Sequence, residues 1–173
     1  MANRHLSRSI VLQSLFEWDF RALPEGEIDA VIARNAAEFA PGMGDMPFIG
    51  RLAHGIIERL ADLDMVVEKA APDWPLDKIS FIDRNVLRIG LFELLFANRG
   101  EVPAKVAINE AIELAKTFGG ENSGKFVNGV LGAVYKELGE PGKDETSSRR
   151  RVGQDVPYEE LPLERLGGAV VYA

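Results

Sequence analysis

Residues 102–118 read VPAKVAINEAIELAKTF, and their spacing decides the fold. Ile108, Ala111, Ile112, Ala115 and Phe118 recur at three- and four-residue intervals, with Asn109, Glu110, Glu113 and Lys116 on the opposite side. That is the pattern of an amphipathic helix with one buried stripe. Pro103 suits its first turn, where a missing N–H removes no hydrogen bond. Gly119-Gly120 then predicts a left-handed cap and a turn. Asn122 or Ser123 is the expected N-cap of a last helix, whose Val127, Val130, Leu131, Val134 and Leu138 form the next inward stripe.

The same period extends towards the N-terminus. Ile79, Ile82, Val86, Leu87, Ile89, Leu91 and Leu94 give residues 78–97 a wide apolar face. A long stripe of Ile49, Leu52, Ile56, Leu60, Leu63 and Val67 predicts one helix over residues 46–71. A second helix is expected over 25–39, closed by Pro41-Gly42, and a first over 4–20, where Val11, Leu15 and Trp18 share a side. No stretch alternates apolar and polar residues over a strand's length. The expected fold is therefore all-α, two packed three-helix bundles over 4–72 and 76–138, divided where Pro72 and Pro75 flank Asp73-Trp74. Residues 1–138 make one helical domain, and 139–173 an irregular tail containing Arg149-Arg150-Arg151 and a weakly apolar end.

Composition narrows the chemistry. With no cysteine among 173 residues, a disulfide framework, a thiolate metal site and a cysteine nucleophile are all excluded. His5 and His54 are isolated in sequence, so no metal site and no cofactor is expected. Phosphate-loop, dinucleotide, HExxH and GxSxG patterns are absent, and Asp62 and Asp64 read as solvated surface, so no catalytic residue and no enzyme is expected. No apolar run approaches the length of a membrane span. The N-terminus lacks the apolar core of a signal peptide, which makes the cytoplasm the expected location. Net charge is −7, yet residues 22–72 carry −5 and the first 21 carry +1, so any nucleic-acid face must be local.

Three features point to such a face. Arg4 and Arg8 share one side of the first helix beside His5 and Phe16, a combination of phosphate-binding cations and a ring for an unpaired base. Phe118, Asn122, Lys125 and Phe126 place two aromatics, an amide and a cation around one inter-helix turn. Gly124, Gly129 and Gly132 lie inside the last helix, where each costs on the order of 1 kcal/mol relative to alanine, so either a neighbouring helix or a ligand is expected to approach them.

The run VPAKVAINEAIELAK at 102–116, followed by SGKFVNGVL at 123–131 and supported by DRNVLRIGLFELL at 83–95, closely resembles the NusB family of transcription antitermination factors. The likeness covers residues 4–138. It implies a non-enzymatic protein that pairs with the small-subunit ribosomal protein acting as Nus factor E. It further implies that the pair binds boxA RNA within the RNA polymerase antitermination complex, so that ribosomal RNA transcription continues past termination signals. Carried onto this chain, the resemblance assigns RNA contacts to Arg4, His5, Arg8, Phe16, Phe118, Asn122, Lys125 and Phe126. It assigns partner binding to Asp83, on the exposed side of the 79–97 helix. The alternative is a helical scaffold, or the related RNA-binding domain of ribosomal RNA cytosine methyltransferases without its catalytic part. Such an enzyme needs a separate cofactor domain and a cysteine, for which this sequence has neither the length nor the residue.

Overall fold

The computed structural model describes residues 3–42 and 44–143. Seven α-helices occupy them: α1 (Arg4–Phe20), α2 (Ile28–Phe39), α3 (Met46–Glu58), α4 (Leu60–Ala70), α5 (Phe81–Phe96), α6 (Ala104–Gly119) and α7 (Glu121–Glu137). Among the described residues there is no strand, and the all-α expectation holds. No helix there is long and apolar enough to cross a membrane. The expectations for the triple arginine and the apolar end of the tail lie outside the described residues.

Side-chain caps fix three helix starts. The Asn3 side chain accepts from the Leu6 N–H at 3.0 Å, Asp45 from Phe48 at 3.1 Å, and the Ser80 hydroxyl from Asp83 at 3.1 Å. Four boundaries differ from the sequence reading, one being the 78–97 helix, which starts only at Phe81 after a 3₁₀ turn, Leu76–Lys78. The helix expected over 46–71 is broken at Arg59, where φ −103° and ψ 14° leave the helical path and the guanidinium lies 4.4 Å over the Phe96 ring. The apolar stripe crosses that break, with Ile56 and Leu63 fully buried, so periodicity alone does not register it. The second helix opens with a 3₁₀ turn, Glu25–Glu27. Finally, α7 begins directly after Gly120, so Asn122 and Ser123 lie in its first turn rather than capping it.

The central element is α5. Val86, Leu87, Leu91 and Leu94 are wholly buried, and the helix packs against α1, α3, α4, α6 and α7. One continuous cluster of buried apolar side chains runs from Ile10 to Leu138 through both halves. This arrangement brings the C-terminal half of α1 against the start of α5, and the start of α5 against the α6–α7 turn.

Candidate nucleic-acid interface

At the start of α1 the cations are engaged within the protein. Arg4 remains partly exposed, its Nε 3.6 Å from Asp45 and its guanidinium 4.1 Å above the Phe48 ring. His5 Nδ1 lies 2.6 Å from Glu110 Oε2 on α6. Arg8 corrects the sequence reading. Only 3 % exposed, it donates from Nε at 2.7 Å and Nη2 at 2.8 Å to the two carboxylate oxygens of buried Glu93, which leaves it no path to a phosphate. Its position was legible in part, since Arg8 falls on the same helical stripe as Leu12 and Leu15. A charge on a core stripe requires a buried counter-charge. Arg4 and Arg8 therefore do not act as a pair.

Phe16 is half-buried and belongs to an aromatic group absent from the sequence reading. It stacks on Phe20 (centroids 5.8 Å, planes 10° apart), and Phe81 meets Phe16 edge-on at 6.2 Å and Phe20 at 5.3 Å. The 16/20 spacing of one helical turn was the available signal. Beneath this group lies a second feature missed from sequence, a charge network joining three helices. Asp19 accepts from Arg84 Nε at 2.7 Å, Asn85 Nδ2 at 2.9 Å and Arg88 Nη1 at 2.8 Å. Arg88 also donates to both oxygens of Asp64 at 2.8 and 2.9 Å. Asp64 is thus a structural ion-pair partner, not the solvated carboxylate expected. Burial alone would raise the Asp19 carboxyl. The hydrogen bonds from Arg84 and Asn85, with the charges of Arg88 and Arg84, outweigh burial and hold it below its usual range. Burial would likewise weaken the charge on Arg88, but Asp64 first and Asp19 second hold it more firmly protonated than an ordinary arginine.

The α6–α7 turn collects the remaining expected residues. Gly120 has φ +102° and ψ −176°, a conformation open to glycine, and its N–H closes α6 on Ala115 and Lys116 carbonyls. Asn122 and Lys125 are exposed on the first turn of α7, whereas Phe118 and Phe126 are half-buried against the core. Phe126 meets partly exposed Trp74 edge-on at 6.1 Å. The sequence marks Trp74 only as part of the break between the two halves. A groove between α6 and α7 is lined by Asn109, Lys116, Lys125 and Asn128 together with Glu113 and Glu121, and Lys116 Nζ lies 4.0 Å from Glu113. The glycines divide. A Cβ at Gly124 would come within 2.8 Å of Lys116 Cγ, so a neighbouring helix accounts for it, while Gly132 has open space around it and no close approach.

Asp83 lies on the least buried turn of α5: it is half-buried, and its Oδ1 is sealed from solvent without a hydrogen bond, facing Gly119, where an added Cβ would lie 3.3 Å away. A partner's cation reaches that oxygen only if the turn shifts. Phe16 and the α6–α7 turn are thereby joined through the first turn of α5, and Arg4 and His5 lie at the other end of α1. Among the described residues no group of three or more His, Asp or Glu side chains is placed to hold a metal ion.

The model of the NusB family matches residues 5–136. Transcription antitermination protein NusB from Desulfosudis oleivorans is 41 % identical over 139 residues, covering 80 % of this chain and 89 % of the relative. The structure of T. maritima NusB superimposes with a TM-score of 0.69 at 35 % identity, over 79 % of this chain and 94 % of that one. A crystal structure of antitermination factors NusB and NusE in complex with dsRNA aligns with a TM-score of 0.67 at 26 % identity, over 77 % of this chain and 96 % of the matched one.

Proposed function

The chain belongs to the NusB family, and from that premise we propose that it is a transcription antitermination factor that binds boxA RNA together with NusE, the small-subunit ribosomal protein, within the RNA polymerase antitermination complex. In this reading it works in the cytoplasm, promotes ribosomal RNA transcription and catalyses no reaction. The observation that carries it is the family match over residues 5–136, inside which the α6–α7 turn presents Lys125 and Asn122 beside two aromatic rings. RNA contacts are assigned to Arg4, His5, Phe16, Phe118, Asn122, Lys125 and Phe126, with Lys116 added from the groove between α6 and α7.

Charge argues for a joint site. At net −7 the chain supplies little bulk attraction for a polyanion, and Arg8, engaged with Glu93, supplies none locally. The partner must therefore contribute basic surface. Titration of a boxA-like single-stranded RNA by fluorescence anisotropy, with and without NusE and across a salt series, tests this. Tighter and more salt-dependent binding with NusE is expected. Equal affinity in both arms refutes joint binding, and no binding in either leaves a helical scaffold.

A further inference from the structure

We propose that Phe20 and Phe81, with Phe16, form a stacking corner that holds one additional unpaired RNA base beside the site on the α6–α7 turn. This rests on the RNA-binding reading above and deepens it. Phe20 is 63 % exposed, which no core role explains. One face of its ring is covered by Phe16, nearly parallel at 10°, and Phe81 stands across both rings at 79° and 71°. Each ring is thus held by the other two, so little side-chain freedom remains to be lost when a base lands on the open face of Phe20.

Charge selects the occupant. Asp19, adjacent to Phe20, is saturated by Arg84, Asn85 and Arg88, and Asp83, in the same turn of α5 as Phe81, has one carboxylate oxygen sealed from solvent against Gly119. On the other flank Glu17 is shared by Arg21 and Arg34, which leaves one positive charge in surplus on a chain that is acidic as a whole. The Arg84 guanidinium lies 4.1 Å over Phe81. Flat π-faces beside one surplus arginine suit a base with its phosphate. The corner is also continuous with the proposed RNA site, because Phe81 and Asp83 share the first turn of α5 and Asp83 faces Gly119.

The test uses the full chain with NusE and a boxA-like RNA carrying 2-aminopurine at successive unpaired positions. Phe20→Leu and Phe81→Leu keep apolar volume and remove the stacking face; Phe20→Trp keeps it. Phe20→Leu is expected to weaken binding of the unpaired RNA roughly 5- to 100-fold, to relieve quenching at one position, and to leave binding of a fully paired duplex little changed. Phe20→Trp is expected to bind as the parent does. Parent-like affinity and quenching in Phe20→Leu overturn this inference alone. So does weaker association of Phe20→Leu with NusE in the absence of RNA, which makes the corner a protein contact. Failure of the unsubstituted pair to bind RNA overturns both this inference and the function it rests on.

Discussion

Arg8 and Glu93 show what one residue's chemistry demands of another far away in sequence. Both side chains are almost fully buried, and each is neutralised by the other through two hydrogen bonds, with Glu110 a further 3.9 Å from Arg8 Nη1. Glu93→Ala is therefore expected to lower unfolding free energy by about 3 to 5 kcal/mol, and the double substitution Arg8→Met/Glu93→Leu to recover most of that, as read from urea midpoints at constant slope. The stripe position of Arg8 was legible, but its partner was not, because 85 residues separate the pair and no local spacing links them. Asp19 makes a second prediction. Its folded-state carboxyl lies below the ordinary value of 3.8, so the unfolded chain takes up the proton first as pH falls. The stability it contributes is complete above about pH 4 to 5 and is lost as pH drops through 3.8 towards the folded value. Between pH 5 and 3, the urea midpoint of the parent should fall more steeply than that of Asp19→Asn. Parallel curves would mean that the network does not couple to protons.

Helix periodicity carried most of the element-scale information, and it failed where the backbone rather than the side-chain pattern decides. The bounds of α1 were readable because Val11, Leu15 and Trp18 keep one side along it. The division at Arg59 was not, since burial continues through it and only backbone angles change. Glycines inside helices follow the same logic: sequence flags their cost, while the neighbours decide their purpose. At Gly90 of α5, an added Cβ would lie 2.9 Å from both Ala111 Cβ on α6 and Leu131 Cδ1 on α7, so these three helices approach as closely as they do because no side chain stands there. Gly90→Ala should cost about 1 to 3 kcal/mol by overpacking. Gly132→Ala, with nothing within 4 Å, should add about 0.4 to 1 kcal/mol by stiffening the unfolded chain. Opposite shifts in melting temperature check the pair of assignments. Similar shifts would refute the packing argument.

At the scale of the molecule, the two bundles expected from the sequence share α5 and one apolar cluster. Two tryptophans report on different places: Trp18, whose indole N–H donates to the Pro24 carbonyl at 3.2 Å, and Trp74 against Phe126 on α7. A continuous core predicts one cooperative transition, with circular dichroism and the fluorescence of single-tryptophan variants coincident in urea. Separate midpoints for Trp18 and Trp74 would divide the protein into independently folding halves. The centrality of α5 has a further meaning for a chain made from one end. α1 leaves the ribosome long before the helix that covers it, and the 85 residues from Arg8 to Glu93 take roughly 4 to 17 s to synthesise at about 5 to 20 residues per second. Throughout that interval the guanidinium has no buried counter-ion and keeps its shell of water. The first helix to be born is thus unable to take its native seat until the fifth arrives, and translation speed sets how long its apolar stripe remains open to other chains.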